Sequence, residues 1–226
     1  LFSLFSFLFS LFSFLFSLAT GAGVIIDGTL TPGSTLDPPS APTVTDQETF
    51  ILSLQTQLKD LGPGIELTSN SFGLLDVTLE AGIYSTIDYL TISSGKTLTL
   101  DGKGVDGVWI FNIANFLTLA TGAKVELFNV TKDSSVIWNA LAGYTQLDTS
   151  SEIRGYIFSQ SYIQSGDNTI IKGVGNDCGG VYSATSFVEF GADNVIGQQG
   201  CTNGMALKVA TILGMTASKV DCKCGT

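Results

Sequence analysis

Residues 82–127 read GIYSTIDYLTISSGKTLTLDGKGVDGVWIFNIANFLTLATGAKVEL, and they run through one pattern twice. An apolar strand comes first, Ile83-Tyr84-Ser85 and then Ile110-Phe111-Asn112. A short strand led by an aromatic follows, at Tyr89 and then Phe116. A glycine turn leads into an alternating strand, Thr97-Leu98-Thr99-Leu100 and then Lys124-Val125-Glu126-Leu127. The cycle recurs three more times before Gly197. Its first strands are Ile137-Trp138-Asn139, Ile157-Phe158-Ser159 and Val181-Tyr182-Ser183; its leading aromatics are Tyr144, Tyr162 and Phe187. Its third strands are Glu152-Ile153-Arg154, Thr169-Ile170-Ile171 and Asn194-Val195-Ile196. Three strands per cycle at a spacing of roughly 20–28 residues predict a mainly β chain folded as a three-faced parallel β-helix, a solenoid. Such a fold offers broad, rigid, flat faces and needs no pocket to act.

The three strand sets differ. The first is apolar on both sides, as in Val108-Trp109-Ile110-Phe111 and Val136-Ile137-Trp138. A strand apolar on both sides is covered on both sides, and the chain supplies a cover. Phe50, Ile51, Leu54, Leu58 and Leu61 recur at helical spacing, and Gly62-Pro63-Gly64 ends the run. Thr45 with Glu48 reads as a capping box, placing a helix at about 45–61 on the Trp109 side. The second set alternates. Leu90, Leu117, Thr145, Ile163 and Val188 point inward, while Thr91, Thr118, Gln146, Gln164 and Glu189 point outward. The third set turns Lys124, Glu126, Glu152 and Arg154 to solvent. It sends Leu98, Leu100, Val125, Leu127, Ile153 and Val195 into the core.

Charged residues are 13% of the chain, against about 25% in ordinary domains, so Ser, Thr, Asn and Gly must build much of the surface. The net charge of −10 argues against nucleic acid, whose phosphates demand Lys and Arg, and against an anionic membrane surface. The absence of His removes the commonest general base and metal ligand. Before the helix, residues 1–19 form a low-complexity Leu/Phe/Ser segment: Leu1–Phe7 is repeated letter for letter at Leu8–Phe14. It reads as a secretory signal peptide, a membrane anchor or a translated simple DNA repeat, and in each case stands outside the fold. Residues 20–44 read as a Pro-rich linker or remnant N-terminal segment. The β-helix domain then occupies 45–200, and 201–226 form a Cys-containing tail.

The run from Leu79 to Gly173 resembles the ice-binding protein family of sea-ice algae, cold-adapted fungi and bacteria. The matching stretches are Leu79-Glu80-Ala81-Gly82-Ile83-Tyr84, Thr97-Leu98-Thr99-Leu100-Asp101-Gly102, Val108-Trp109-Ile110-Phe111-Asn112-Ile113 with Leu117-Thr118, Val136-Ile137-Trp138 and Ile153-Arg154-Gly155. They follow that family's order and spacing. The resemblance implies a discontinuous right-handed β-helix with one helix packed along it, and adsorption to ice with thermal hysteresis and recrystallisation inhibition. It also implies no catalysis, no cofactor and no metal. The chain departs from the family before the helix, where Gly21 to Leu30 stands in place of an N-terminal segment of extra strands.

An ice face must be flat, rigid, short-chained and uncharged, because charged groups hold their own hydration. The first face is covered and the third is charged. The second therefore carries the expected contact residues Thr91, Ser93, Thr118, Ala120 and Gln146, with the turn residues Thr121 and Thr149. The expected partner is an ice crystal surface and the expected state a monomer. The alternatives are a surface adhesin, or a carbohydrate-binding or polysaccharide-degrading β-helix using clustered carboxylates or calcium. The turn Asp101–Asp106 is the candidate for such a cation, set against local bonding of its Asp residues to backbone. Cys178, Cys201, Cys222 and Cys224 suggest two disulfides in a secreted chain. Cys222 and Cys224 are too close in sequence to pair well, so each is expected to reach Cys178 or Cys201. A four-thiolate zinc site is the competing reading. Asn129-Val130-Thr131 is a glycosylation acceptor pattern.

Overall fold

The structure, a computed structural model, describes residues 44–67, 71–72 and 76–214. The low-complexity segment, the linker up to Thr43, and Cys222 and Cys224 lie outside the described residues. The described part begins with helix α1 (Val44–Asp60) and then coils upward through eighteen described strands. Coil 1 holds β1 (Ile65–Glu66), β2 (Ser71–Phe72) and β3 (Val77–Glu80); coil 2 holds β4 (Gly82–Thr86), β5 (Leu90–Ile92) and β6 (Thr97–Asp101). Coil 3 is β7 (Val108–Ile113), β8 (Leu117–Leu119) and β9 (Lys124–Phe128), and coil 4 is β10 (Ser135–Ala140), β11 (Thr145–Leu147) and β12 (Glu152–Arg154). Coil 5 is β13 (Tyr156–Ser159), β14 (Ile163–Ser165) and β15 (Ile170–Lys172); coil 6 is β16 (Gly180–Ser183), β17 (Val188–Phe190) and β18 (Val195–Ile196). Helix α2 (Met205–Ile212) follows.

The first, second and third strands of the coils form three parallel sheets, A, B and C, each of six strands. The described coils stack in chain order, and the discontinuity implied by the resemblance falls on none of them. Sequence analysis found coils 2 to 6 but not coil 1, whose first two strands are only two residues long.

Alternation fills the interior. Leu90, Leu117 and Ile163 from sheet B meet Leu98, Val125, Ile153 and Ile171 from sheet C, and Trp109, Phe111, Trp138 and Ile157 from sheet A, all buried. Tyr84, Phe111 and Trp138 stack inside sheet A at ring separations of 5.3 and 4.2 Å. One inward assignment fails outright, and Val188, in register with the buried Ile163, stays 38% exposed in the last described coil. Val195 pairs with the outward Ile170 and is 44% exposed, and Ile196, in register with Ile171, takes the inward place. With only two residues in β18, sequence pattern alone could not decide which one faced in. The corner between sheets B and C repeats one geometry. Gly95, Gly122, Ser150, Asn168 and Asp193 all have φ between 56° and 69°, and Gly, Asn and Asp tolerate that region best.

The outer face of sheet A is covered as expected. Ile51, Leu54 and Leu58 of α1 pack on Ile110, Ile137, Tyr156 and Phe158, while Trp109 itself points into the solenoid. A buried polar seam fixes where the helix lies. Gln55 Nε2 donates to Ala140 O at 2.9 Å, and Asn139 Nδ2 donates to Gln55 O at 3.0 Å and to Asn112 Oδ1 at 2.9 Å. Asn112 Nδ2 donates to Leu58 O at 3.2 Å, serving a carbonyl in the last turn of the helix. The helix opens at Val44, so Thr45 sits inside the first turn rather than at the N-cap. The first N–H groups of a helix need no intrahelical partner, so helical geometry extends N-terminally at little cost.

The C-terminal end closes differently from expectation. Cys178 pairs with Cys201, so neither reaches Cys222 or Cys224; the two lie 5.0 Å apart at Cα because coil 6 returns its end beside its start. Helix α2 was missed: its run lacks a side-chain N-cap and its last turn lacks a basic residue. It lays Met205 and Val209 on the same apolar sheet. Lys208 Nζ donates to Asp133 O at 2.6 Å and lies 3.8 Å from Asp177 Oδ1. The fully buried Asp177 also accepts from Ser135 Oγ at 2.6 Å. Burial pushes its carboxyl pKa up, and the Ser135 hydrogen bond and Lys208 pull it back.

Two outcomes test this arrangement. Leu58 is fully buried beneath α1, so Leu58→Ala should cost about 2–5 kcal/mol in denaturant unfolding. A peptide map of the non-reduced protein should join Cys178 to Cys201, and reduction should cost roughly 3 kcal/mol for a loop of that size.

Candidate functional site

Sheet B is the one sheet whose outer face is neither roofed by a helix nor dominated by charge. Parallel pairing aligns its outward residues in columns. Thr91, Thr118, Gln146, Gln164 and Glu189 are consecutive partners across β5, β8, β11, β14 and β17. One step along the strands, backbone bonds from Ala120 N to Ile92 O, Asp148 N to Leu119 O, Gly166 N to Leu147 O and Gly191 N to Ser165 O align Ser93, Ala120, Asp148, Gly166 and Gly191. The ladder continues into the corner, where Gly95 N donates to Thr121 O and Gly122 N to Thr149 O. Ser94 Oγ also donates to Thr121 O at 2.8 Å. The structure thus brings all seven sequence-predicted residues onto one surface. Thr91, Ser93, Thr118, Ala120 and Gln146 are half-buried between their neighbours; Thr121 and Thr149 are exposed.

A feature the sequence announced only as recurring aromatics borders this surface. Tyr89, Phe116, Tyr144, Tyr162 and Phe187 stack face to face at 5.0, 5.0, 4.8 and 5.4 Å with nearly parallel planes. Each stacked pair adds about 0.5–1.5 kcal/mol beyond burial, so the ladder stiffens the edge where sheet A turns into sheet B. The rings spend their faces on one another, which leaves few ring faces for a sugar to stack on.

Charge on the face is confined to its later coils. Asp148 accepts from Gln146 Nε2 at 3.0 Å, and Glu189 accepts from Gln164 Nε2 at 3.0 Å. A shallow depression lies between coils 4 and 5, lined by Gln146, Asp148, Thr149, Gln164 and Gly166 among others. Sheet C is unlike this. Lys124 and Glu126 are exposed, and Glu152 pairs with Arg154.

The cation turn does not assemble. Asp101 accepts from Lys103 N at 2.9 Å and pairs with Lys103 Nζ at 2.8 Å, which holds its carboxyl below the usual range. Asp106 accepts from the Thr131 hydroxyl instead. Among the described residues no three His, Cys, Asp or Glu side chains converge as metal ligands. Asp177, with Ser135 and Lys208 around it, is sealed from solvent and serves the C-terminal packing.

Known proteins share sequence and fold with this chain. Ice-binding protein 1 of Shewanella frigidimarina is 32% identical over 122 residues, 53% of this chain and 13% of that protein. An ice-binding protein of a Colwellia species is 32% identical over 108 residues, 48% of this chain and 40% of that protein. The chain therefore spans well under two thirds of the length of these curated relatives. Among solved structures, a domain of the Shewanella protein superposes with a TM-score of 0.54 at 25% identity, covering 78% of this chain and 77% of that one. An ice-binding protein from the Antarctic ascomycete Antarctomyces psychrotrophicus gives 0.53 at 20% identity over 69% and 70%, a likeness of fold. The model of the ice-binding-like family matches residues 19–196; with that span covering most of the chain, this three-faced solenoid belongs to the ice-binding-like family, a non-enzymatic one.

Proposed function

We propose that this chain adsorbs to ice through the outer face of sheet B, producing thermal hysteresis and inhibiting recrystallisation. One observation carries the reading: in-register columns of short, neutral side chains in coils 2 and 3 occupy the only described sheet face that is neither covered nor dominated by charge. The contact set is Thr91, Ser93, Thr118, Ala120, Gln146, Thr121 and Thr149. Strands in neighbouring coils lie about 4.7–4.9 Å apart, close to spacings in the ice lattice, so hydroxyls and methyls repeated from coil to coil can hold water in a pattern that merges with the crystal. Thr is stiff at χ1, and groups that are already ordered lose little entropy on binding.

We infer that the protein works as a monomer outside the cell. The Cys178–Cys201 bond suits an oxidising compartment. Asn129 is exposed in the corner between sheets C and A, opposite sheet B, so a glycan there leaves the contact face free. In a eukaryotic secretion host, glycosidase treatment should shift the mass of the protein, Asn129→Gln should remove that shift, and hysteresis should be equal in all forms.

Many weak contacts make the face tolerant of losing one hydroxyl and intolerant of a protrusion. Thr118→Tyr should abolish most ice shaping while leaving the unfolding midpoint near its original value. Glu126→Tyr on sheet C should leave ice shaping intact. The reverse pattern would move the ice contact to sheet C.

A further inference from the structure

The neutral character of sheet B stops partway along it. Coils 2 and 3 turn Thr91, Ser93, Thr118 and Ala120 outward, none of them ionisable. From coil 4 onward the columns contain Asp148 and Glu189. Neither carboxylate takes part in an ion pair among the described residues. Each is held instead by a neutral amide. Gln146 reaches Asp148 along its own strand, and Gln164 reaches Glu189 across to the next. The Gln side chains that continue the threonine column are thus turned onto the carboxylates.

An ice surface offers no counterion. A carboxylate pressed against it must give up or rearrange strongly held water, and removing an ion from water costs several kcal/mol even after relaxation. A hydroxyl contact returns only about 0.5–1.5 kcal/mol. One carboxylate therefore outweighs several hydroxyls. The shallow depression beside Asp148, lined also by Thr149, Gln164 and Gly166, adds to the effect by interrupting the flat face.

Resting on the reading of sheet B as the ice face, we infer that Asp148 and Glu189 set its C-terminal boundary, confining full contact to coils 2 and 3 and leaving Gln146 and Thr149 of coil 4 as its edge. They are restricting residues: the solenoid offers five described coils of aligned face from Thr91 to Glu189, and charge excludes the later ones.

Isosteric neutralisation tests this directly. Asp148→Asn and Glu189→Gln keep an amide oxygen to accept from Gln146 and Gln164, so only charge is lost. The thermal-hysteresis gap of the double variant at fixed concentration should rise at least about 1.5-fold, because contact spread over more rows gains against a fixed cost of binding. Glu126→Gln, which removes one carboxylate charge from sheet C, should change nothing. Thr118→Asp, which carries a carboxylate into the neutral rows, should lower the gap severalfold, with circular dichroism confirming the fold. A double variant with an unchanged or smaller gap, alongside loss of activity in Thr118→Tyr, would overturn the boundary and leave the face in place. A gain from Glu126→Gln without one from the double variant would overturn both.

Discussion

Every coil is held to its neighbours by parallel backbone hydrogen bonds, and that ladder runs through the corners as well as the strands. Gly122 N to Thr149 O, Ser150 N to Asp167 O and Asn168 N to Ala192 O continue the pairing across the turn between sheets B and C. The consequence is a register with no slack. A slip of one residue in any coil would turn its inward Leu, Ile and Val outward along all three sides. The corners must then share one shape, which is why a column of left-handed residues stands there. Once register is fixed, like side chains fall beside like, producing the interior stack of Tyr84, Phe111 and Trp138 and the outer ladder from Tyr89 to Phe187.

That constraint explains what the sequence disclosed. Five coils were legible because register forces equivalent positions to carry equivalent residues, and the eye reads that as a repeat. The roof over sheet A was legible because Ile110, Ile137 and Phe158 are apolar where alternation demands polar groups. The outward columns of sheet B, proposed above as the contact face, followed from the same alternation. What escaped lay where the repeat weakens. Coil 1 has two-residue strands, and β18 offers too few positions to show which of Val195 and Ile196 faces inward. The pairing of Cys178 with Cys201 depends on the return path of one irregular coil, which no spacing encodes. The amide clamps on Asp148 and Glu189 needed side-chain geometry.

The last described coil poses a separate problem. A solenoid buries each coil between two others, so a terminal coil has one face to protect. Several kinds of bond gather near this end. The Cys178–Cys201 link closes the loop that contains β16, β17 and β18. Tyr156 reaches across to Asn203 O at 2.5 Å, and Asn203 O also accepts from Cys178 N. Lys208 brings α2 to the buried Asp177. Polar and covalent ties substitute here for the apolar contacts that a further coil would supply.

The three faces then divide work that one repeat could not do if its sides were alike. Sheet A is apolar outward and must be covered; the Gln55, Asn112 and Asn139 seam fixes the cover in one place, because a shifted helix would take the acceptors away from their buried amide N–H groups. Sheet C carries Lys124, Glu126, Glu152 and Arg154 and supplies the hydration that keeps a low-charge protein in solution. With solubility and sealing assigned elsewhere, sheet B is free to be nearly bare of charge. Its rigidity is inherited from the ladder beneath and the stacked rings at its edge. A flexible surface with the same Thr and Ser content would have to order itself at each encounter, and the entropy lost would exceed what weak hydroxyl contacts return. For the ice contact proposed on sheet B, the repeat supplies the spacing, and the fixed register supplies the preorganisation that so weak a chemistry needs.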